Sequence, residues 1–183
     1  MQTYSLFTDG SVNNQTKIGV GGYLLFDGVP CKTSSLAKTI HTKKFNHTSS
    51  TKLELQTLLW ALEQLTEEKT CAPISVTVYT DSQNIVGLPS RRSALEDKNY
   101  LTAKHKLLNN HELYKQFFHL ADTHVLQLVK LKGHKPTIQR TLLDDIFNLV
   151  DQHVRHQLRH LTCLSFDGKH VTHSGESTEQ APS

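Results

Sequence analysis

Cysteine is scarce in this sequence of 183 residues, and its arrangement excludes two common kinds of site. The three cysteines, Cys31, Cys71 and Cys163, are widely spaced and form no Cys-x-x-Cys pair. A disulfide framework needs an even number of cysteines, and a structural zinc site needs closely paired ligands. We therefore expect neither a disulfide-stapled fold nor a zinc module.

Long apolar runs and a strong excess of charge are also missing. No run approaches the ~20 apolar residues of a membrane-spanning helix. The first residues, Met1-Gln2-Thr3-Tyr4, lack the basic and apolar regions of a signal peptide. We therefore predict a cytoplasmic protein without a membrane partner. The net charge of +3 does not by itself identify a nucleic-acid binder.

Strand patterns occupy the first part of the chain. Thr3–Thr8 is rich in β-forming residues and runs into the turn Asp9-Gly10, and Val20–Phe26 is a second strand. The turn at Asp27-Gly28 then predicts a third strand within Val29–Thr39. These three strands would form an antiparallel meander.

Helices and strands alternate after this meander. A long helix is predicted by leucines that recur on one face, Leu55, Leu58, Leu59, Leu62 and Leu65. Strands at Ile74–Thr80 and Val125–Lys132 follow, with helical segments between them. The last helix buries a stripe formed by Phe147, Val150, Val154 and Leu158. We predict one α/β domain over residues 1–164, a mixed sheet flanked by helices, and a polar, disordered tail over residues 165–183.

Four acidic residues stand near the ends of these elements, and each has an ordinary structural explanation. Asp9 fits a turn, and Glu54 fits a capping box that returns a hydrogen bond to Thr51. Asp81 fits the N-cap of a short helix. Asp151 lies four residues before Arg155 and fits an exposed ion pair.

Taken together, the same four acids favour a metal site. Two of them end strands and a third begins the helix that packs beside those strands, so the fold can bring them together. Clustered carboxylates repel one another at neutral pH, and hard divalent cations relieve that repulsion. Two Mg²⁺ ions held in this way can activate water and stabilise the leaving oxygen of a phosphodiester.

Four short segments carry a resemblance to a known family. Thr8-Asp9-Gly10-Ser11, Lys52-Leu53-Glu54-Leu55, Thr80-Asp81-Ser82-Gln83 and Lys132-Gly133-His134 resemble, in this order, the signatures of type 1 ribonucleases H. The order of elements is also similar, so the resemblance covers residues 3 to 159.

This resemblance implies a ribonuclease H-like fold, in which three antiparallel strands and then two parallel strands form a five-stranded mixed sheet. It implies an endonuclease that cuts the RNA strand of RNA–DNA hybrids and leaves 5′-phosphate and 3′-hydroxyl ends. Two Mg²⁺ ions, with Mn²⁺ as a substitute, would bind Asp9, Glu54, Asp81 and Asp151. His134 would assist proton transfer or product departure.

The fourth acid is open between two residues, because His134-Lys135-Pro136 lacks the glycine that the family has after its histidine. Asp144 has the family's spacing of ten positions from His134, whereas Asp151 has the better local context, Asn148-Leu149-Val150-Asp151 before Val154-Arg155. This context favours Asp151.

Candidate substrate contacts follow from the same resemblance. Small polar residues near the first acids would read the minor groove: Asn13, Asn14, Ser50, Thr51 and Gln83. The basic stretch Arg91–Lys106 would hold DNA phosphates through Arg91, Arg92, Lys104 and Lys106. A solvated helix face explains the same stretch equally well.

Two other functions remain open at this point. A related nuclease could act on another nucleic acid, such as a DNA junction, and a binding module could have lost its chemistry. No protein partner is implied, and a monomer is expected.

Overall fold

A strand that is buried on both faces forms the centre of the molecule. In strand β1 (Thr3–Asn13), Tyr4 to Thr8 are all buried. The structure is a computed structural model that describes residues 1–31, 39–68, 72–132 and 136–167, with the backbone alone at 68, 137 and 163–167. Its described part contains five strands in one sheet, in the order β3-β2-β1-β4-β5.

The remaining elements follow in chain order. They are β2 (Ile18–Asp27), β3 (His41–Phe45), α1 (Ser50–Glu68), β4 (Ser75–Thr80), α2 (Gln83–Val86), α3 (Arg92–Asp97), α4 (His111–Thr123), β5 (Val125–Lys130) and α5 (Leu142–Asp167). Single 3-10 turns lie at Pro89–Arg91 and Thr137–Gln139.

The sheet is mixed, as the sequence predicted. Strands β1, β2 and β3 are antiparallel neighbours, and β4 and β5 are added in parallel beside β1. The predicted fold class, a ribonuclease H-like fold with helices around a mixed sheet of five strands, is therefore confirmed.

Helices cover both faces of the sheet, so the core has two layers. Helices α1 and α4 pack on one face with Leu6 and Val78, and α5 packs on the other face with Phe7. The leucine stripe of α1 and the predicted apolar stripe of α5 are both buried. Because successive residues of a strand point to opposite faces, Asp9 shares the α5 face with Phe7.

Two neighbouring glycines let the helices lie directly against strand β2. A Cβ atom on Gly21 would stand 2.0 Å from Oγ1 of Thr57 in α1. One on Gly22 would stand 2.5 Å from Cγ2 of Val154 in α5. Only glycine permits this approach on both faces. Consequently the helix turns that precede Thr57 and Val154 lie close to the sheet.

The predicted third strand was wrong in position. Strand β3 is His41–Phe45, and Val29 to Cys31 and Thr39 form no strand; residues 32–38 lie outside the described part. The reason is that β3 is an edge strand whose first four residues are exposed, so it carries no alternation of apolar and polar residues.

Two further predictions concern the ends of the molecule and the membrane. Helix α5 extends to Asp167, so the predicted domain boundary at residue 164 falls inside it, and the tail from residue 168 lies outside the described residues. Among the described helices, none combines the length and apolarity needed to cross a bilayer.

Candidate active site

Strand register brings Asp9 and Asp81 together. Strand β1 continues beyond the end of β4, and the two are paired in parallel from Thr3 and Ser75 to Phe7 and Tyr79. The same register, continued by two residues, places Asp81 beside Asp9. The electrostatic influence of Asp81 on Asp9 agrees with this placement.

Helix α1 supplies the second carboxylate through an N-terminus that differs from the predicted one. The predicted capping box of Thr51 and Glu54 was wrong: Ser49 is the cap, since its Oγ accepts from the backbone N–H of Lys52 at 3.4 Å and its carbonyl accepts from Leu53 at 2.7 Å. Thr51 therefore lies within the helix. The Glu54 carboxylate is left to point away from the cap.

Glu54 reaches the end of strand β4 instead. Its Oε2 accepts a short hydrogen bond from the Ser82 hydroxyl, and its Oε1 accepts one from Ser50 at 3.4 Å. Burial raises the pKa of Glu54, the two hydroxyls oppose that effect, and the nearby Asp81 carboxylate raises the pKa further. Glu54 and Asp81 therefore share one electrostatic environment.

Asp81 does not cap the helix that follows it. The N-cap of α2 is Ser82, whose Oγ accepts from the backbone N–H of Ile85 at 3.3 Å. Asp81 is exposed while Ser82 is buried. The structural role that the sequence suggested for Asp81 thus belongs to its neighbour, and the Asp81 carboxylate remains available for a ligand.

Helix α5 supplies Asp151, which contacts Asp9 directly. A hydrogen bond joins the carboxyl groups of Asp9 and Asp151. The predicted ion pair is also present, since the Arg155 guanidinium donates to Oδ1 of Asp151. Asp151 lies one turn before Val154, the residue that rests on Gly22, and Gly22 is paired with Asp9.

These neighbours change the ionisation of Asp9. Burial, opposed by a hydrogen bond from the Gly10 backbone and assisted by the charges of Asp81 and Asp151, raises the pKa of Asp9 from 3.8 to about 8. Asp81 influences the pKa of both Glu54 and Asp9, and Asp151 influences that of Asp9, so we group these four residues as the acid cluster.

Asp144, the alternative fourth acid, is engaged elsewhere. Its Oδ2 accepts from both the backbone N–H and the hydroxyl of Thr141, each at 2.8 Å, and its own N–H donates to Oγ1 of Thr141 at 3.4 Å. This is the reciprocal bonding of a helix cap. The structure therefore brings Asp151, and not Asp144, to Asp9.

The raised pKa of Asp9 predicts a pH-dependent stability in the absence of divalent cations. Between pH 3.8 and about 8 the folded protein holds a proton on Asp9 that the unfolded chain releases, so unfolding becomes easier as the pH rises through this range. Asp9→Asn removes the titrating group. Between pH 5.5 and 8.5 in a chelator, the melting temperature of wild type should therefore fall relative to that of Asp9→Asn, by about 2–4 °C for each kcal/mol. Parallel pH profiles for the two proteins would contradict this.

The chemistry of the acid cluster fits divalent cations. All four side chains offer carboxylate oxygens, the donors that Mg²⁺ and Mn²⁺ prefer. Burial, and to a smaller extent the mutual repulsion of the carboxylates, raises the pKa of Asp9 and Glu54, and a bound cation would offset that repulsion. As the side chains stand, no three acidic, histidine or cysteine groups among the described residues enclose an ion. A bound ion would therefore require the carboxylate side chains to rearrange around it.

The predicted minor-groove residues lie at two places. Ser50, Thr51 and Gln83 lie on α1 and α2 beside the acid cluster, and Lys130 donates to Oε1 of Gln83. Asn13 lies at the far end of β1, where its Oδ1 accepts from the backbone of Gln15 and Thr16 in the turn that also contains Asn14. The structure thus does not bring the two asparagines to the acids.

The predicted basic residues have different surroundings. The guanidinium of Arg91 donates to the carbonyls of Asn84 and Gly87, and that of Arg92 forms ion pairs with Asp122 and Glu96. Both arginines are therefore engaged within the protein. Lys104 and Lys106 are exposed in the segment between α3 and α4.

A polar basin beside α1 was missed by sequence reasoning. It has a volume of about 490 Å³ and is lined by Lys17, His47, Thr48, Ser49, Lys52, Asn109 and Asn110. These residues come from three separate parts of the chain, so no local motif identifies the basin. Lysine ammonium groups, amides and the start of a helix are suited to a phosphate.

The predicted catalytic residue His134 lies outside the described residues.

The sequence matches one known family over most of its length. The family model described as RNase H matches residues 1–148, which ends before Asp151. A Ribonuclease H of Legionella pneumophila (strain Corby) is 28% identical over 145 residues, which cover 79% of this chain and 93% of the relative. A Ribonuclease H of Chlorobium phaeobacteroides is 29% identical, over 71% of this chain and 82% of the relative. A Ribonuclease H of Moorella thermoacetica is 26% identical, over 80% of this chain and 90% of the relative.

Proposed function

This chain belongs to the ribonuclease H family, and on that premise we propose that it hydrolyses the RNA strand of RNA–DNA hybrids as an endonuclease. The observation that carries the proposal is the contact of Asp9 with Asp151, next to Asp81 and Glu54. Four carboxylates from four separate parts of the chain would be costly to assemble unless a ligand used them.

The four acids would hold two divalent cations, Mg²⁺ or, as a substitute, Mn²⁺. The chemistry that such ions supply is the activation of water and the stabilisation of the leaving 3′ oxygen. The chain's own contribution is to hold the carboxylates in place. Ser82 orients Glu54 by hydrogen bonding, and Arg155 orients Asp151. For His134 we propose a role in proton transfer or in the departure of product.

The hybrid would be held on both sides of the acid cluster. Ser50, Thr51 and Gln83 could face the minor groove, where RNA exposes its 2′-hydroxyls. The basin could hold a phosphate of one strand, because Lys17 and Lys52 both line it and its described lining contains no acidic residue. Lys104 and Lys106 could add phosphate contacts farther along the duplex.

The other attributes of the protein are proposals of the same kind. Products would carry 5′-phosphate and 3′-hydroxyl ends. The catalytic domain would span residues 1–164, the chain would act as a monomer without a protein partner, and it would work in the cytoplasm.

A cleavage assay tests the function directly. Purified protein is incubated separately with an RNA–DNA hybrid, double-stranded DNA, double-stranded RNA and a DNA junction. Each reaction contains either about 10 mM Mg²⁺, enough to fill weak Mg²⁺ sites, or excess chelator. We expect cleavage of the RNA strand of the hybrid alone, and loss of cleavage in chelator. Cleavage of the junction instead would favour the related nuclease, and binding of the hybrid without cleavage would favour an inactive module.

A further inference from the structure

The outer face of helix α5 carries a strip of basic and polar side chains, of which Arg155 alone pairs with a member of the acid cluster. It consists of Gln152, Arg155, His156 and Arg159, and we call it the α5 strip. All four side chains are exposed. The strip begins directly after Asp151 and follows the helix away from the acid cluster.

Charge is distributed unusually along this part of the chain. From residue 152 to residue 166 there is no aspartate or glutamate, while Arg155, Arg159 and three histidines lie in the same interval. Arg155 pairs with Asp151. In the described part of the chain Arg159 forms no ion pair, and no acidic residue lies three or four positions from it in the sequence.

Arg155 stabilises the helix through its ion pair with Asp151, but Arg159 makes no such contact in the described part of the chain. Arg155 and Arg159 are one turn apart, and like charges at this spacing destabilise a helix by about 0.2–0.5 kcal/mol. The helix ends at Asp167, two turns beyond Arg159, so the helix dipole contributes little at that position. A ligand explains Arg159 better than stability does.

The α5 strip is joined to the acid cluster by an open groove. The groove has a volume of about 610 Å³, and Asp151, Gln152, Arg155, His156 and Arg159 all line it. With a rise of 1.5 Å per residue, Arg155 and Arg159 lie ~6 and ~12 Å from Asp151 along the helix. Arginine binds phosphate oxygens with two parallel hydrogen bonds, which makes it suited to a nucleic-acid backbone.

We propose that the α5 strip binds backbone phosphates of the nucleic acid that occupies the acid cluster, with Arg159 as its principal contact. This inference rests on the proposed function, because it takes the hybrid as the ligand of the adjoining site. The strip would lengthen the substrate footprint along α5, so that hybrids long enough to reach Arg159 bind more tightly than shorter ones.

The test compares Arg159→Gln with wild type in the intact protein. KM for a long RNA–DNA hybrid is measured at several salt concentrations. One lost phosphate contact lowers the slope of log KM against log salt by about 0.9, so the advantage of wild type shrinks about 3-fold between 50 and 200 mM salt. Arg159→Lys keeps the charge and should retain most of the slope. Lys115→Gln, on α4 at the other face of the sheet, is the control for the loss of one positive charge.

Each outcome has a defined meaning. A smaller slope in Arg159→Gln alone supports the strip. An unchanged slope, or an equal reduction in Lys115→Gln, overturns it and points to another use of the surface, such as an acidic protein. If wild type failed to cleave any hybrid, the proposed function would fail, and the same slopes would be measured by fluorescence anisotropy of a labelled hybrid. Binding that depends on Arg159 would then support the strip, and binding that does not would overturn it.

Discussion

Asp9→Asn is expected to lower the rate of hybrid cleavage by about 1,000-fold or more, because several kcal/mol of transition-state stabilisation depend on the acid cluster. Asp9 contacts Asp151 and is influenced by Asp81, so it is the most central of the four acids. Asparagine keeps the shape of the side chain and removes its charge. The measurement is single-turnover cleavage at saturating enzyme and Mg²⁺, which separates chemistry from binding.

Two controls make this result interpretable. Asp9→Asn should bind the hybrid about as well as wild type. It should also remain folded: at pH 8.5 in chelator, its melting temperature should equal or exceed that of wild type. Mg²⁺ should raise the melting temperature of wild type more than that of the variant, because only a bound ion stabilises the folded state. Undiminished turnover in a folded variant would refute the assignment of Asp9.

Asp151→Asn is expected to reduce cleavage by roughly 100-fold, whereas Asp144→Asn should leave the rate within a few-fold of wild type. The reason is that Asp151 lies against Asp9. Oδ2 of Asp144 instead accepts hydrogen bonds from the backbone N–H and the hydroxyl of Thr141. Asp144→Asn should instead lower the free energy of unfolding by about 1 kcal/mol, since it weakens a helix cap. Single-turnover rates and chemical denaturation of the two variants provide the comparison.

The matched pair excludes a general effect of removing an acid from α5. Both variants replace an aspartate by asparagine in the first half of the same helix. A large loss of rate in Asp144→Asn with a normal rate in Asp151→Asn would reverse the assignment of the fourth acid. The fourth acid would then be Asp144, the residue with the family's spacing from His134, and not the residue with the better local context.

The sequence predicted much of the fold because the relevant signals are local. The leucine stripe of α1 and the stripe of Phe147, Val150 and Val154 follow from helical periodicity, and both are buried. Asp9 and Asp81 were predicted to meet because both were placed at strand ends. The register of β1 and β4 brings them side by side. The prediction of a turn at Asp9-Gly10 was wrong, since β1 continues through these residues to Asn13.

Other features depend on distant partners and were not predictable. Strand β3 exposes most of its residues, so its pattern is hidden, and only pairing with β2 identifies it. Arg92 resembled a phosphate ligand in the sequence, yet it pairs with Asp122, thirty residues away. The cap of α1 was misassigned because Ser49 and Thr51 are chemically similar and both precede suitable helix residues.

The most direct test of the account is a crystal of the protein soaked in Mn²⁺ and measured for anomalous scattering. The account predicts anomalous peaks bound by carboxylate oxygens of Asp9 together with Asp151, Asp81 or Glu54. Peaks confined to other parts of the surface, with none on these carboxylates, would contradict it.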